Sequence, residues 1–198
     1  IKDTISKQSF LKTTLKCASL FNPQKNIIFL GDNGNKHFSN NISTNVKFNN
    51  IDDYGGELEE MKTFKRVFRV IKGPHHGSEE WIKFVFQRFF HLYDFLDKNN
   101  ITSFWMFDSD TLIIDNLKNH EHKYIKFDCT EQCNGICING FISNNKIIKK
   151  YINSINNLFM NTEYINKQIE EFNTINLNYA LTEMRAYSEF KKNNIFKS

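Results

Sequence analysis

The chain has no apolar run approaching the roughly 20 residues a membrane-spanning helix requires. Nothing in its 198 residues therefore reads as a transmembrane segment. It also has little net charge: 26 Lys and Arg against 22 Asp and Glu leave a formal +4. That balance is compatible with an anionic substrate or with peripheral contact at an anionic membrane surface, and it is too weak to indicate nucleic acid. Cysteine is scarce, with four copies and no CxxC pair. Cys17 stands alone. Cys129, Cys133 and Cys137 recur at every fourth residue, but Asn134, Gly135, Asn139 and Gly140 oppose a helix there. Zinc and iron–sulfur sites bring their thiolates closer or add a fourth ligand. Reduced structural thiols and a cytoplasmic setting are the expectation. No secretory leader or internal repeat is visible, and the chain starts at Ile1 rather than Met.

What is present argues for a folded domain. Hydrophobic residues make up 40% and aromatics 15%, which excludes disorder despite a mean hydropathy of −0.51. The length suits one domain over residues 1–198. Apolar spacing predicts an amphipathic helix over residues 4–20, ended by Asn22-Pro23, then a strand over residues 26–30 and a turn at Gly31-Asp32-Asn33-Gly34-Asn35. Residues 36–60 are polar and read as a mobile loop hinged at Gly55-Gly56, with a short strand near residues 46–48. The loop Gly73-Pro74-His75-His76-Gly77 precedes the strongest helix, residues 79–97, where Trp81, Val85, Phe86, Phe89, Phe90, Leu92, Tyr93 and Leu96 form a wide buried stripe. On that pattern Trp81 belongs to the core rather than to a stacking surface. Strands are expected at residues 104–107, 124–127 and 137–142, and helices at residues 146–158 and 177–190. Strand alternating with helix means an α/β domain, with ligand at the carboxyl ends of its strands.

The most informative stretch is Phe104-Trp105-Met106-Phe107-Asp108-Ser109-Asp110. Its apolar half reads as a buried strand. Two carboxylates where such a strand leaves the core cannot stay unpaired, because desolvating each costs several kcal/mol. A divalent cation is an economical partner for both, and hard oxygen ligands favour Mg2+ or Mn2+ completed by substrate phosphates.

These residues resemble the GT-A glycosyltransferases, which use nucleotide-activated sugars. The resemblance covers most of residues 4–140: a helix, Asn-Pro, the strand Asn26-Ile27-Ile28-Phe29-Leu30-Gly31 ending in Asp32, then an apolar strand ending in the Asp108-Ser109-Asp110 DxD motif. It implies a mixed, mostly parallel central sheet flanked by helices. It also implies a metal held by Asp108 and Asp110, and donor contacts from Asp32, Ser109 and Arg88. The donor would be a UDP- or GDP-linked sugar, and the acceptor a glycan or other hydroxyl compound. The first strand of that fold would precede the helix at residue 4, which implies a chain trimmed at its amino end. No third metal ligand is evident.

Between Asp128 and Phe141, polar residues and two glycines interrupt an otherwise apolar strand pair. The resemblance makes this the acceptor or donor-sugar pocket, with Asp128, Gln132, Asn134 and Gly135 as its residues. An inverting transferase needs a base to take the acceptor proton. Glu183, between apolar residues on the last helix, is the expected base, with Glu131 second; the competing reading pairs Glu183 with Arg185 on a solvated face. A rival class remains: Asp108-Ser109-Asp110-Thr111 also resembles the first motif of haloacid-dehalogenase phosphatases, in which Asp108 would be the nucleophile and Glu170-Glu171 the second acidic pair. A non-catalytic nucleotide-sugar-binding domain is the third reading.

Overall fold

The computed structural model describes residues 10–194 and 196–198. In chain order it comprises α1 (Phe10–Phe21), β1 (Ile27–Gly31), a 3-10 turn over Asn33–Ser39, β2 (Val46–Asn50), α2 (Glu59–Val67), α3 (Glu79–Lys98) and β3 (Phe104–Met106). There follow the single turn α4 (Glu121–Tyr124), β4 (Cys129–Gln132), β5 (Cys137–Ile142), α5 (Lys146–Met160), α6 (Thr162–Thr174) and α7 (Glu183–Asn193). The part of the expected first helix at residues 4–9 lies outside the described residues.

The spacing of Ile82, Val85, Phe86, Phe89, Phe90, Phe95 and Leu96 makes α3 amphipathic, and all seven are buried. Glu79 and Glu80 sit in its first turn, where a negative charge complements the helix dipole. Phe64 of α2, Tyr151 and Phe159 of α5 and Phe190 of α7 close over this stripe as one core. Each such side chain contributes about 1.5–3 kcal/mol by leaving water. A smaller cluster joins Leu11 and Leu15 of α1 to Phe29 of β1 and to Phe38.

The mixture of helix and strand is as expected, but the described strands do not form one mostly parallel sheet. β1 and β2 pair in parallel, from Ile27 opposite Val46 to Gly31 opposite Asn50. β3, β5 and β4 form a separate antiparallel sheet with β5 in the middle, buried along all six residues. The reason lies in the connection: β4 and β5 are joined by only Cys133-Asn134-Gly135-Ile136, and parallel strands need a crossover of a dozen or more residues. Within β3, Phe104 and Met106 pack on the main core. Trp105, on the opposite face, meets Phe107, Tyr124 and Phe141.

Three further expectations are corrected. Residues 124–127 are not a strand: α4 ends at Tyr124, and pairing resumes at Cys129. Residues 36–60 are not a loose loop, since β2 pairs with β1 and the buried Asp94 carboxylate accepts the Gly55 N–H at 2.6 Å. The last helix starts at Glu183 rather than at residue 177, because residues 177–181 pair with residues 71–75. Gly73 N–H donates to Tyr179 O at 2.7 Å, Leu181 N–H to Ile71 O at 2.9 Å and His75 N–H to Leu177 O at 3.1 Å. All four cysteines are free thiols. No helix among the described residues is long and apolar enough to cross a membrane.

The seam at Gly73 is testable. A Cβ there would meet the backbone carbonyl of Leu177, whereas a Cβ at Gly77 meets nothing within 4 Å. Gly73→Ala should lower stability by about 1–3 kcal/mol in urea unfolding and Gly77→Ala by far less; equal midpoints for the two variants would contradict the seam.

Candidate functional site

Arg88 lies on α3 among aromatic neighbours. A guanidinium stays charged at any ordinary pH, so a partly buried one must find anionic partners. Its Nη1 donates to Asp108 Oδ1 at 2.7 Å and its Nη2 to Glu183 Oε1 at 3.1 Å, and its carbon centre sits 5.1 Å from the Phe89 ring centroid. The Asp108 side chain is 50% exposed and that of Glu183 only 10%. One arm of the bridge is therefore at the surface and the other inside. Asp108 follows β3, and Glu183 opens α7, so a single cation joins α3, the end of β3 and the start of α7.

The interior arm has unusual electrostatics. Burial raises the Glu183 carboxyl above its ordinary range, against the attraction of Arg88. Burial likewise pushes the Cys137 thiol up to about 11, again opposed by Arg88. The Tyr151 hydroxyl donates to the backbone carbonyl of Glu183 at 2.6 Å, which fixes the first turn of α7. Arg88 Nε and Glu183 Oε2 are buried without a hydrogen-bond partner. One is a donor and the other an acceptor, and each unsatisfied group costs about 1–3 kcal/mol. A buried carboxylate of raised pKa with one uncommitted oxygen is equipped to accept a proton.

Asp108-Ser109-Asp110 is an exposed turn closed by Thr111 N–H to Asp108 O at 2.9 Å. Thr14 of α1 donates its hydroxyl to Ser109 O at 3.0 Å. Asp110 forms no ion pair among the described residues. Asp32 accepts from the Asn35 backbone N–H at 3.0 Å, capping the 3-10 turn that follows β1.

The segment from Asp128 to Gly135 is held differently. Glu131 accepts from Tyr187 Oη at 2.6 Å and from Lys191 Nζ at 2.8 Å, while Lys191 also donates to Gly135 O at 3.1 Å. Gln132 accepts from Asn139 at 2.6 Å. Asn134 (φ 58°) and Gly135 (φ 80°) form the left-handed turn between β4 and β5. Asp128 accepts from the Lys197 backbone N–H at 2.8 Å. The structure thus brings Glu183 together with Arg88 and Asp108. It puts Glu131 and Gly135 in a neighbouring network on the same face of α7, because Glu183, Tyr187 and Lys191 recur every fourth residue.

Sequence reasoning did not find Tyr151 or Lys191, which no local pattern marks, and it read Cys137, one of three cysteines at every fourth residue, as a structural thiol. Arg185, the other expected partner of Glu183, turns away and grips Glu171 at 2.8 and 3.0 Å. Among the described residues, no three His, Cys, Asp or Glu side chains are arranged to hold a metal. Two open surface depressions of about 480 and 390 Å3, both lined by Asn153 and Asn157 of α5, share no residue with this site. Comparison with models of protein families, with curated proteins and with solved structures gave no match.

Two outcomes check the bridge. Arg88→Leu leaves Glu183 buried without its cation and should cost about 3–5 kcal/mol, whereas Asp108→Asn, at the exposed arm, should cost about 1 kcal/mol or less; urea unfolding measures both. Glu183 has a raised folded pKa, so its contribution is fully present below its ordinary 4.5 and is lost as pH rises through the folded value. Glu183→Gln should therefore gain on the wild type as pH climbs from 4 to 8. A constant gap between the two denaturation profiles would contradict the burial.

Proposed function

We propose that the chain is a GT-A-like transferase domain that moves a sugar from a nucleotide diphosphate donor to a hydroxyl acceptor. The observation that carries this reading is the junction of an exposed Asp108-Ser109-Asp110 turn, at the carboxyl end of β3, with the buried Arg88–Glu183 pair. The motif and the base expected from sequence come from well-separated segments of the chain, and Arg88 joins them.

The donor set fits Mg2+ or Mn2+. Asp110 is exposed and Asp108 has given one oxygen to Arg88, and such ions are commonly held by one or two carboxylates together with substrate phosphates. When bound, the ion would supply Lewis-acid stabilisation of the leaving diphosphate. Arg88, with five donors and a fixed charge, holds Asp108 in place and adds positive charge beside the diphosphate. Glu183 is the base for the acceptor's proton in this reading, and its raised pKa strengthens it as a base. Glu131, engaged by Tyr187 and Lys191, serves the hairpin rather than the reaction. The phosphatase reading has no comparable support, since Glu171 is bound to Arg185.

Thermal unfolding with UDP or GDP tests the donor site. Stabilisation should require Mn2+ or Mg2+, and Asp110→Asn should abolish that coupling while leaving the melting temperature of the ligand-free protein nearly unchanged. Metal-independent stabilisation of both proteins would exclude the site. Once an acceptor is in hand, Glu183→Gln should reduce transfer by roughly 10²–10⁴-fold with donor affinity retained; near-normal transfer would remove Glu183 from the base role.

A further inference from the structure

Single apolar side chains at a surface need no explanation. Trp81, 49% exposed on α3, is one of these and not the core residue that its place in the helical stripe suggests. The exposed apolar side chains along α1 differ, because they are grouped and set among lysines. Leu11 and Leu15 turn inward against Phe29 and Phe38. Lys12, Lys16 and Leu20 recur every fourth residue and form an outward ridge, with Leu20 74% exposed. The helix carries no acidic residue.

The segment that leaves the Asp108-Ser109-Asp110 turn runs beside α1 and extends this surface. Thr14 donates to Ser109 O at 3.0 Å, and Asn22, just past the end of the helix, donates to Asp115 O at 3.1 Å. The Leu117 N–H returns to Asn22 Oδ1 at 2.8 Å. Between these anchors Leu112 and Ile114 are 52% and 64% exposed, alternating with the less exposed Thr111 and Ile113. Residues 110–126 balance three carboxylates with three lysines. Of those carboxylates, Asp115 is paired with His120 at 2.8 Å and Glu121 with Lys25 at 2.9 Å.

The positive charge of the chain is concentrated at this end. Residues 1–25 hold five Lys against one Asp, an excess equal to the +4 of the whole protein, so the remainder has no net formal charge. Such an asymmetry, carried in part by a basic amphipathic helix, marks an anionic partner. Nucleic acid is met by Lys and Arg together with rings that stack on bases. Here α1 has no Arg, and the side chains exposed beside its lysines are chiefly aliphatic. Aliphatic groups next to lysines suit the boundary between lipid headgroups and acyl chains, where the alkyl parts enter and each Lys stem reaches back to the headgroups.

We infer that the outward face of α1 and the adjoining residues 112–114 dock on an anionic lipid bilayer. Lys12 and Lys16 meet the headgroups, while Leu20, Leu112 and Ile114 enter the interface. This inference does not depend on the transferase reading. Because Thr14 holds Ser109, docking sets the Asp108-Ser109-Asp110 turn beside the lipid surface.

Co-sedimentation of the full chain with vesicles tests the surface. Binding to equal parts of phosphatidylcholine and phosphatidylserine should exceed binding to phosphatidylcholine alone by about ten-fold or more, and it should weaken as NaCl is raised. A Lys12→Glu, Lys16→Glu double variant should lose about ten-fold or more in affinity. Leu112→Ser with Ile114→Ser should also lose most of the binding, and both double variants should keep the wild-type midpoint in urea. The emission of a Leu20→Trp variant should shift to the blue on anionic vesicles, beyond any shift of the wild type. No binding to anionic vesicles, equal binding to both vesicle types, or undiminished binding by either double variant overturns the proposal. So does an unshifted Leu20→Trp emission on vesicles that hold the protein. Capture of a single-stranded polynucleotide in preference to anionic vesicles, unchanged by Leu112→Ser with Ile114→Ser, would assign the lysines to nucleic acid and defeat it.

Discussion

A guanidinium cannot surrender its proton to escape burial, and Arg88 is therefore the constraint around which this end of the molecule is arranged. Its place in the apolar stripe of α3 puts it at the edge of the core, where it must be met by carboxylates. Asp108 meets it from the end of β3 and Glu183 from the start of α7. The two arms differ in environment. The exposed carboxylate stays accessible to a cation, whereas the buried one has its proton affinity raised. A stronger contact does not follow from burial alone, because the desolvation of both ions offsets much of their attraction. What burial supplies is a fixed geometry.

The start of α7 is the second requirement. Residues 177–181 could extend that helix by their apolar spacing, but they pair with residues 71–75 instead. The close approach at Gly73 permits the pairing, since any side chain there would strike Leu177. Glu183 is left in the first turn of α7, where a negative charge suits the helix dipole, and the Tyr151 hydroxyl fixes its carbonyl. From there the same helical face runs to Tyr187 and Lys191, which tie Glu131 and Gly135 to the hairpin of β4 and β5. One helix thus braces both the Arg88 junction and the neighbouring sheet.

Much of this is legible in the sequence where the signal is local. The 3.6-residue period marks α3 and α5, and the β-branched and apolar run at residues 26–30 marks β1. Asp108 and Asp110 are legible as the end of a strand because an apolar run can bury its own side chains but not two adjoining carboxylates, which must sit where the chain meets water. Trp81 misleads because it falls on the apolar period of α3, and a helical stripe can be wider than the surface that covers it. Residues 36–60 mislead because polar composition says nothing of β2 pairing with a strand formed about 20 residues earlier.

The sequence alone determined the α/β character, the positions of the principal helices and the carboxylate pair after β3, since each depends on the spacing of side chains within a few turns of chain. Only the tertiary structure decided that the described strands divide into a parallel pair and an antiparallel trio, that Glu183 answers to Arg88 rather than to Arg185, and that Trp81 faces outward. Those outcomes depend on contacts between segments tens of residues apart. Several partners compete for each, and burial and close packing, rather than local preference, choose among them.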